Sequence, residues 1–329
     1  MGNSNLDVSI IIPTLRRLDI LQKAIGSVLE MDIQPIEILV ICRPKDDPES
    51  YAWLESASKE IVTLKIVTID IPGQVQAMNA AIPLAKGDVV AILDDDALPR
   101  KKWLTEILKC YQDPEVGAVG GRDVVHAYGK ICDTPQVQVA GVRTFWGTIV
   151  GNHHLVVGDA REVDVIKGCN LTFRRSAVDR LKFDERLLGK GAQVGNDSWF
   201  SLCVKQLGHK VILNPQAIVD HFPAERADGG RDSLSKEKCF ETTANNVALS
   251  VSFLDLLMKF KFIVFHLLVG YRYCPGVFYL LHGVLKRPKA LPGIMVGGWS
   301  GFFAGLQLAK EFEKNPPRYV ENPIDHKDG

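Results

Sequence analysis

The fold class this sequence predicts is α/β: a mostly parallel, twisted and doubly wound sheet flanked by helices, followed by an apolar helical extension. Three observations predict it. β-branched runs alternate with helical patterns from residue 8 onward, one of those runs stops abruptly in three consecutive aspartates, and the final stretch stays apolar while losing its acids.

In order, residues 8–12 form a β-branched run closed by Pro13, and Leu18, Leu21, Ile25 and Val28 then recur at helical spacing. Residues 36–41 read as a second strand, 49–59 as a helix, 64–71 as a third strand, and 74–85 as a helix containing Pro83. Residues 89–93 are a fourth strand, running directly into Asp94-Asp95-Asp96. A helix over 103–111 and a strand over 116–120 follow. Residues 123–159, rich in Gly, His, Thr and aromatics, read as long loops with short strands that shape an acceptor site. Residues 163–173 read as strand, turn and strand, and a helix opens near Asp197 and runs to Leu207. Short strands at 210–214 and 217–219 lead to Asp220-His221. Ligands of doubly wound sheets bind beyond the carboxyl ends of the strands, and the triplet falls at one of those ends.

A hydrophobic content of 46% with 24% charged residues excludes a disordered chain. Thirty-nine basic against 39 acidic residues leave no net charge to attract nucleic acid. The seven cysteines form no C-x-x-C pair, which removes zinc knuckles and thioredoxin-like chemistry and fits reduced thiols. The first seven residues lack the basic and apolar regions of a signal peptide, and Leu6 stands where myristoylation needs Ser, so a cytoplasmic location is expected.

The final stretch differs. Between Asp255 and Lys310 the only acid is Asp255, against Lys259, Lys261, Arg272, Lys286, Arg287, Lys289 and Lys310. Residues 290–309 carry no charge and approach the roughly 20 residues that cross a bilayer. Gly297, Gly301 and Gly305 stand at the four-residue interval of closely packed helices, while Pro292 and five glycines weigh against a span. Two readings stay open: membrane association, or a buried helical hairpin. The expected division is 1–240 for the α/β domain and 241–329 for a basic, apolar, membrane-associating region.

Three adjacent carboxylates repel one another and are best tolerated where water or a cation neutralises them. Mg²⁺ and Mn²⁺ take oxygen ligands and keep positions open for phosphate oxygens. The bland alternative is a solvated turn capping a helix that opens at Leu98 or Pro99. His221, after an apolar strand, is a candidate to complete a metal shell. Arg226 and Arg231 lie in a polar loop with Gly229 and Gly230 as hinges, which reads either as a flap closing on a diphosphate or as an ordinary solvated loop.

Ser9-Ile10-Ile11-Ile12-Pro13-Thr14, residues 73–79, Ala85-Lys86-Gly87-Asp88 and Leu93-Asp94-Asp95-Asp96 resemble the N-terminal blocks of family 2 glycosyltransferases. Lys167-Gly168-Cys169-Asn170-Leu171-Thr172-Phe173-Arg174-Arg175 is similar to the family's G-x-N-x-x-x-R-R segment. Gly195-Asn196-Asp197 is similar to its G-E-D motif, and residues 208–221 to its final strands and histidine. The resemblance covers about residues 7–230. It implies a GT-A (Rossmann-like) fold and an inverting, single-displacement sugar transfer, with a nucleotide-sugar donor, a glycan or lipid-linked acceptor and Mn²⁺ or Mg²⁺ as cofactor.

The resemblance further implies roles for individual residues. Asp94 and Asp95 belong with the donor together with Pro13, Thr14, Gln74 and Asn79. Asp96 and His221 hold the metal, Asp197 is the general base, and Asn170, Asn196 and Trp199 lie on the acceptor side. Cys42-Arg43 replaces the acidic base-reading stretch of many relatives, which leaves Arg43 as a donor contact. Asn196 replaces the common Glu beside Asp197. The Q-x-x-R-W motif of processive synthases is missing from the sequence, favouring transfer of a single sugar. With the apolar tail, this places the chain at the cytoplasmic face of the cell membrane, peripheral or monotopic. Rival readings are a nucleotidyltransferase or phosphohydrolase on the same type of fold, and a catalytically silent glycan-binding scaffold.

Overall fold

A computed structural model describes residues 6–127, 129–178, 181–189, 193–223, 234–286 and 291–315. Arg226 and Arg231, expected on the donor side, lie outside the described residues.

The first half alternates as its periodicity requires. β1 (Val8–Pro13), α1 (Leu18–Leu29), β2 (Glu37–Cys42), α2 (Pro48–Glu60), β3 (Leu64–Thr68), α3 (Gln74–Ala81) and β4 (Val89–Ile92) follow in order. Asp47 caps α2 by accepting from the Ser50 amide, with Pro48 in the first turn, where a missing N–H costs nothing. Pro83 does end α3, whose last turn tightens into a 3-10 turn over Ile82–Leu84. No helix opens at Leu98 or Pro99: residues Ala97–Pro99 are a short strand, β5, and α4 begins later, at Trp103–Cys110.

β6 (Val116–Ala127) extends well past its expected end and pairs at its tip with β7 (Lys130–Cys132). The minor strands β8 (Val142–Arg143), β9 (Ile149–Val150) and β10 (Arg161–Glu162) follow. Then come a 3-10 turn over Gly168–Asn170, β11 (Leu171–Arg174), α5 (Asn196–Gln206) and β12 (Lys210–His221). The two short strands expected before His221 are one strand with an irregularity between Asn214 and Ile218, because β6 runs beside it throughout.

The ten-stranded sheet has the order β10-β12-β6-β11-β4-β1-β2-β3, with β5 on β12 and β7 on β6. β3, β2, β1 and β4 pair in parallel, and β12 is parallel to β6. β11 runs antiparallel between β4 and β6. The start of β11 therefore lies at the same sheet edge as the end of β4. Fully buried strands such as β2 read as continuous apolar runs because helices cover both faces.

The chain continues through α6 (Lys236–Ser252), α7 (Leu256–Leu268), the small hairpin β13 (Gly270–Tyr271) and β14 (Cys274–Pro275), α8 (Val277–Lys286) and α9 (Leu291–Lys314). Among the described residues no helix is long and apolar enough to cross a membrane. The glycine series of α9 faces α6 instead: a Cβ at Gly297, Gly301 or Gly305 would collide with the carbonyl oxygens of Lys236, Phe240 and Ala244 respectively. Ala248 and Leu249 of α6 and Leu308 and Phe312 of α9 join the core that contains Trp199 and Phe200.

Candidate active site

β4 ends at Ile92, and after Leu93 the residues Asp94 to Asp96 turn at the carboxyl edge of the sheet. Asp95 and Asp96 are each only 3% exposed, so they are not a solvated turn. β5 then pairs with the end of β12, with Ala97 opposite His221, and the Phe222 amide donates to the Asp96 carbonyl at 2.8 Å. This backbone clasp sets His221 Nε2 3.2 Å from Asp96 Oδ1.

The other imidazole nitrogen, Nδ1, lies 3.6 Å from Asp123 Oδ2, and Lys167 makes a short ion pair with that same carboxylate. Lys167 leads into Gly168, whose amide donates to Asp197 Oδ2 at 2.9 Å. Asp96, His221, Asp123, Lys167, Gly168 and Asp197 thus form a continuous chain of contacts. The candidate base is thereby linked to the triplet through Lys167 and Gly168. The Ser198 amide takes the other Asp197 oxygen at 2.7 Å, so both carboxylate oxygens are held in the first turn of α5. Gly195 permits that turn, with φ at +92° immediately before the helix.

On the opposite side, Thr14 Oγ1 donates to Asp95 at 2.8 Å, and Gln74 Nε2 donates to Asp94 at 2.9 Å. Pro13 closes β1 just before Thr14. Arg17 reaches Asp95 at 2.8 Å and Asp96 at 3.2 Å with one guanidinium nitrogen. Arg43 is paired with Asp46 at 2.5 Å at the end of β2. Asn196 opens α5, half-buried beside Asp197.

Electrostatics follow from this crowding. Burial raises the Asp94 carboxyl above its ordinary range, and the Asp96 charge adds to it. Burial carries Asp95 up to about 7 even though Arg17 and Thr14 oppose the shift. Burial would lower His221, but the neighbouring Asp96 and Asp123 carboxylates push it well above the imidazole range. Burial also raises the Cys169 thiol, leaving it uncharged near neutrality, so the two carboxylates are what keep the imidazole protonated. Asp123 is held well below the carboxylate range: burial opposes this, and His221 and Lys167 outweigh it.

Asp94, Asp96 and His221 bring ligand atoms within 4.8 Å of one another. Two carboxylates and an imidazole at a strand end suit Mn²⁺ or Mg²⁺ and leave room for phosphate oxygens. The residues fit a divalent cation. A second trio, Asp123, Cys169 and His221, is equally close but fully buried, and Lys167 already neutralises its carboxylate.

Two sequence expectations need correction. Asn170 is wholly buried: its carbonyl accepts from Trp103 Nε1, and its amide donates to the Arg122 and Ala217 carbonyls, so it ties strands together and meets no acceptor. Trp199 is 1% exposed, packed between Phe253 and Phe312, and is a core residue. Asn79 exchanges hydrogen bonds with the Phe183 backbone and reaches Glu185, fastening a distant loop. Sequence reasoning missed Arg17, Asp123 and Lys167. Arg17 carried a signal, since it closes the Pro13-Thr14 block, but Asp123 stood in what reads as loop.

The solved structure of a mannosyltransferase from Pyrobaculum calidifontis, in complex with GDP-Man and Mn²⁺, superposes with a TM-score of 0.52 over 95% of this chain and 88% of that one. At 17% identity that likeness establishes the fold, a GT-A-like α/β sheet flanked by helices. The glucosyl-dolichyl phosphate glucuronosyltransferase of Haloferax volcanii is 24% identical over 224 residues, 66% of this chain and 69% of that protein. The O-antigen biosynthesis protein RfbC of Myxococcus xanthus is 35% identical over 117 residues, 34% of this chain. The chain spans less than a fifth of the length of two of the curated relatives it matches. The profile of glycosyl transferase family 2 matches residues 9–182, more than half of the chain and the stretch that carries the triplet and Lys167-Gly168, and the chain accordingly belongs to glycosyl transferase family 2.

Proposed function

We propose that the protein transfers a single sugar from a nucleotide-sugar donor to a glycan or lipid-linked saccharide, with inversion and with a divalent metal, at the cytoplasmic face of the cell membrane. Residues 1–240 are the catalytic domain in this reading, and residues 241–329 the region that meets the membrane. The observation that carries it is the contact chain from Asp96 through His221, Asp123 and Lys167 to Gly168 and Asp197.

Asp94, Asp96 and His221 would hold the cation, which supplies positive charge against the diphosphate of the donor. His221 binds a cation only as the neutral imidazole, which couples metal affinity to pH. Thr14, Gln74 and Arg17 keep the triplet oriented from the β1 side. Asp197 accepts the acceptor hydroxyl proton as that oxygen attacks the anomeric carbon and the bond to the diphosphate breaks. The Gly168 and Ser198 amides fix both its oxygens, and each oxygen keeps a further lone pair for the proton. The names of the Haloferax and Myxococcus relatives support a lipid-linked or envelope glycan acceptor.

Transfer assays across nucleotide sugars, with and without Mn²⁺, test the reading. Asp197→Asn should lower the rate about 10²–10⁴-fold while leaving binding of the nucleotide diphosphate intact. Asp96→Ala should abolish the metal-dependent part of that binding. Undiminished rates in both variants would reject the assignment.

A further inference from the structure

We infer that α7, α8 and the tip of the β8–β9 hairpin form a docking platform for an anionic lipid surface. The inference deepens the proposed reading by naming the surface that would present a lipid-linked acceptor, and it rests on that reading only for this purpose.

α7 is amphipathic in the inverted sense. Leu256, Leu257, Phe260, Leu267 and Leu268 are all exposed, Leu256 to 85% and Phe260 to 64%. At about 3.6 residues per turn they fall on one side of the helix. Phe262 and His266 are buried on the other side. Lys259 and Lys261 flank the apolar stripe on its two sides, the first reaching Glu313 and the second lying over the Phe145 ring. Val277, Phe278 and Leu281 of α8 are likewise exposed. An apolar stripe bordered by lysines is the pattern of a helix lying in a membrane interface.

The hairpin extends this platform from the catalytic side. Phe145 is exposed, and Trp146 lies against Phe265 of α7, ring centroids 6.1 Å apart. Arg143 fastens the hairpin by donating to the Phe253 carbonyl at the end of α6. Gly141, just before the hairpin, accepts from the Asp164 and Val165 amides, and Lys167 and Gly168 of the candidate site follow directly after.

Charge decides the occupant. Lys259 and Lys261 border the stripe, and residues 256–268 of α7 contain no acid. A second copy docking through the same face would set one cationic tract against another, since a two-fold contact matches like with like. Anionic headgroups meet both the stripe and its rim.

The full-length protein should be tested by flotation with vesicles of phosphatidylcholine alone and of phosphatidylcholine with phosphatidylglycerol. Binding is expected to the mixed vesicles, weakening as salt rises. Phe260→Glu with Leu267→Glu should lower the partition coefficient at least about tenfold, because two exposed apolar contacts become charges repelled by the lipid. Val62→Glu, at an exposed site remote in sequence, should leave it unchanged. The double variant alters exposed positions, so its thermal midpoint and its activity on a water-soluble acceptor should match the parent. Asp197→Asn should bind vesicles normally, which separates failure of the transfer reading from failure of this one. A parent that stays free of both vesicle types, or a double variant that floats with it, overturns the platform. So does a parent dimer that the double variant dissolves without any vesicle binding, which would assign the face to a second copy.

Discussion

Arg17 is the cation that the buried triplet already has. Its guanidinium spans Asp95 and Asp96, whose carboxylates would otherwise repel one another in a poorly solvated site. Arg17→Ala should therefore lower apo-protein stability by about 1–3 kcal/mol, less than a fully buried pair would lose, because Arg17 is itself one-third exposed. Mn²⁺ should restore much of the loss by replacing the missing charge, read as a larger metal-induced rise in thermal midpoint than in the parent. Glu37 tests the same physics away from the site. Burial raises its pKa, but Lys65, the Ser9 hydroxyl and the Lys86 amide together bring it below 4.5. A folded pKa below the unfolded one adds stability above that value and loses it as pH falls through the folded pKa. Glu37→Gln should flatten the dependence of the urea midpoint on pH below about 4.5, with the parent converging toward the variant in acid.

Among the elements, the α6–α9 pair has the most extensive contact between helices. It depends on three glycines that let backbone meet backbone. Gly301→Leu should cost more than about 2 kcal/mol, since the added side chain must displace the Phe240 carbonyl. Gly293→Ala, in the first turn of the same helix with open space around its missing Cβ, should be neutral or stabilising by up to about 1 kcal/mol. Urea unfolding of the two variants checks both values. The β5–β12 clasp is a second element-scale device: three residues of strand, Ala97–Pro99, put His221 beside Asp96.

Across the whole molecule, the C-terminal helices are bound to the catalytic sheet through the core. Trp199, from the first turns of α5, is sandwiched between Phe253 after α6 and Phe312 of α9. Arg186 adds a cation–π contact to Phe312. A chain ending at residue 290 loses α9, uncovers the face of α6 that the α9 glycines cover and leaves Trp199 half-wrapped. It should lose its cooperative unfolding transition and bind hydrophobic dyes, as measured by near-UV circular dichroism and dye fluorescence. A truncated chain that unfolds as sharply as the parent would show that the sheet is stable without α9.

Much was legible in the sequence because it depends on local periodicity or contiguous residues. The alternation from β1 to β4 follows from apolar spacing, and the triplet announces itself as three acids after a buried strand. The lengths of β6 and β12 were not legible, since their ends gain strand conformation from each other and not from their own composition. Asn170 and Trp199 look like site residues in the sequence because motif blocks do not say which way a side chain faces; the tertiary structure turned both inward. Likewise the glycine series of α9 specifies a close helix neighbour without saying which, and only the folded chain identifies it as α6. The sequence by itself determined the fold class and the acidic centre, through periodicity and charge. The tertiary structure decided which residues complete that centre, because Arg17, Asp123, Lys167 and His221 meet it only when β1, β6, β11 and β12 are laid beside β4.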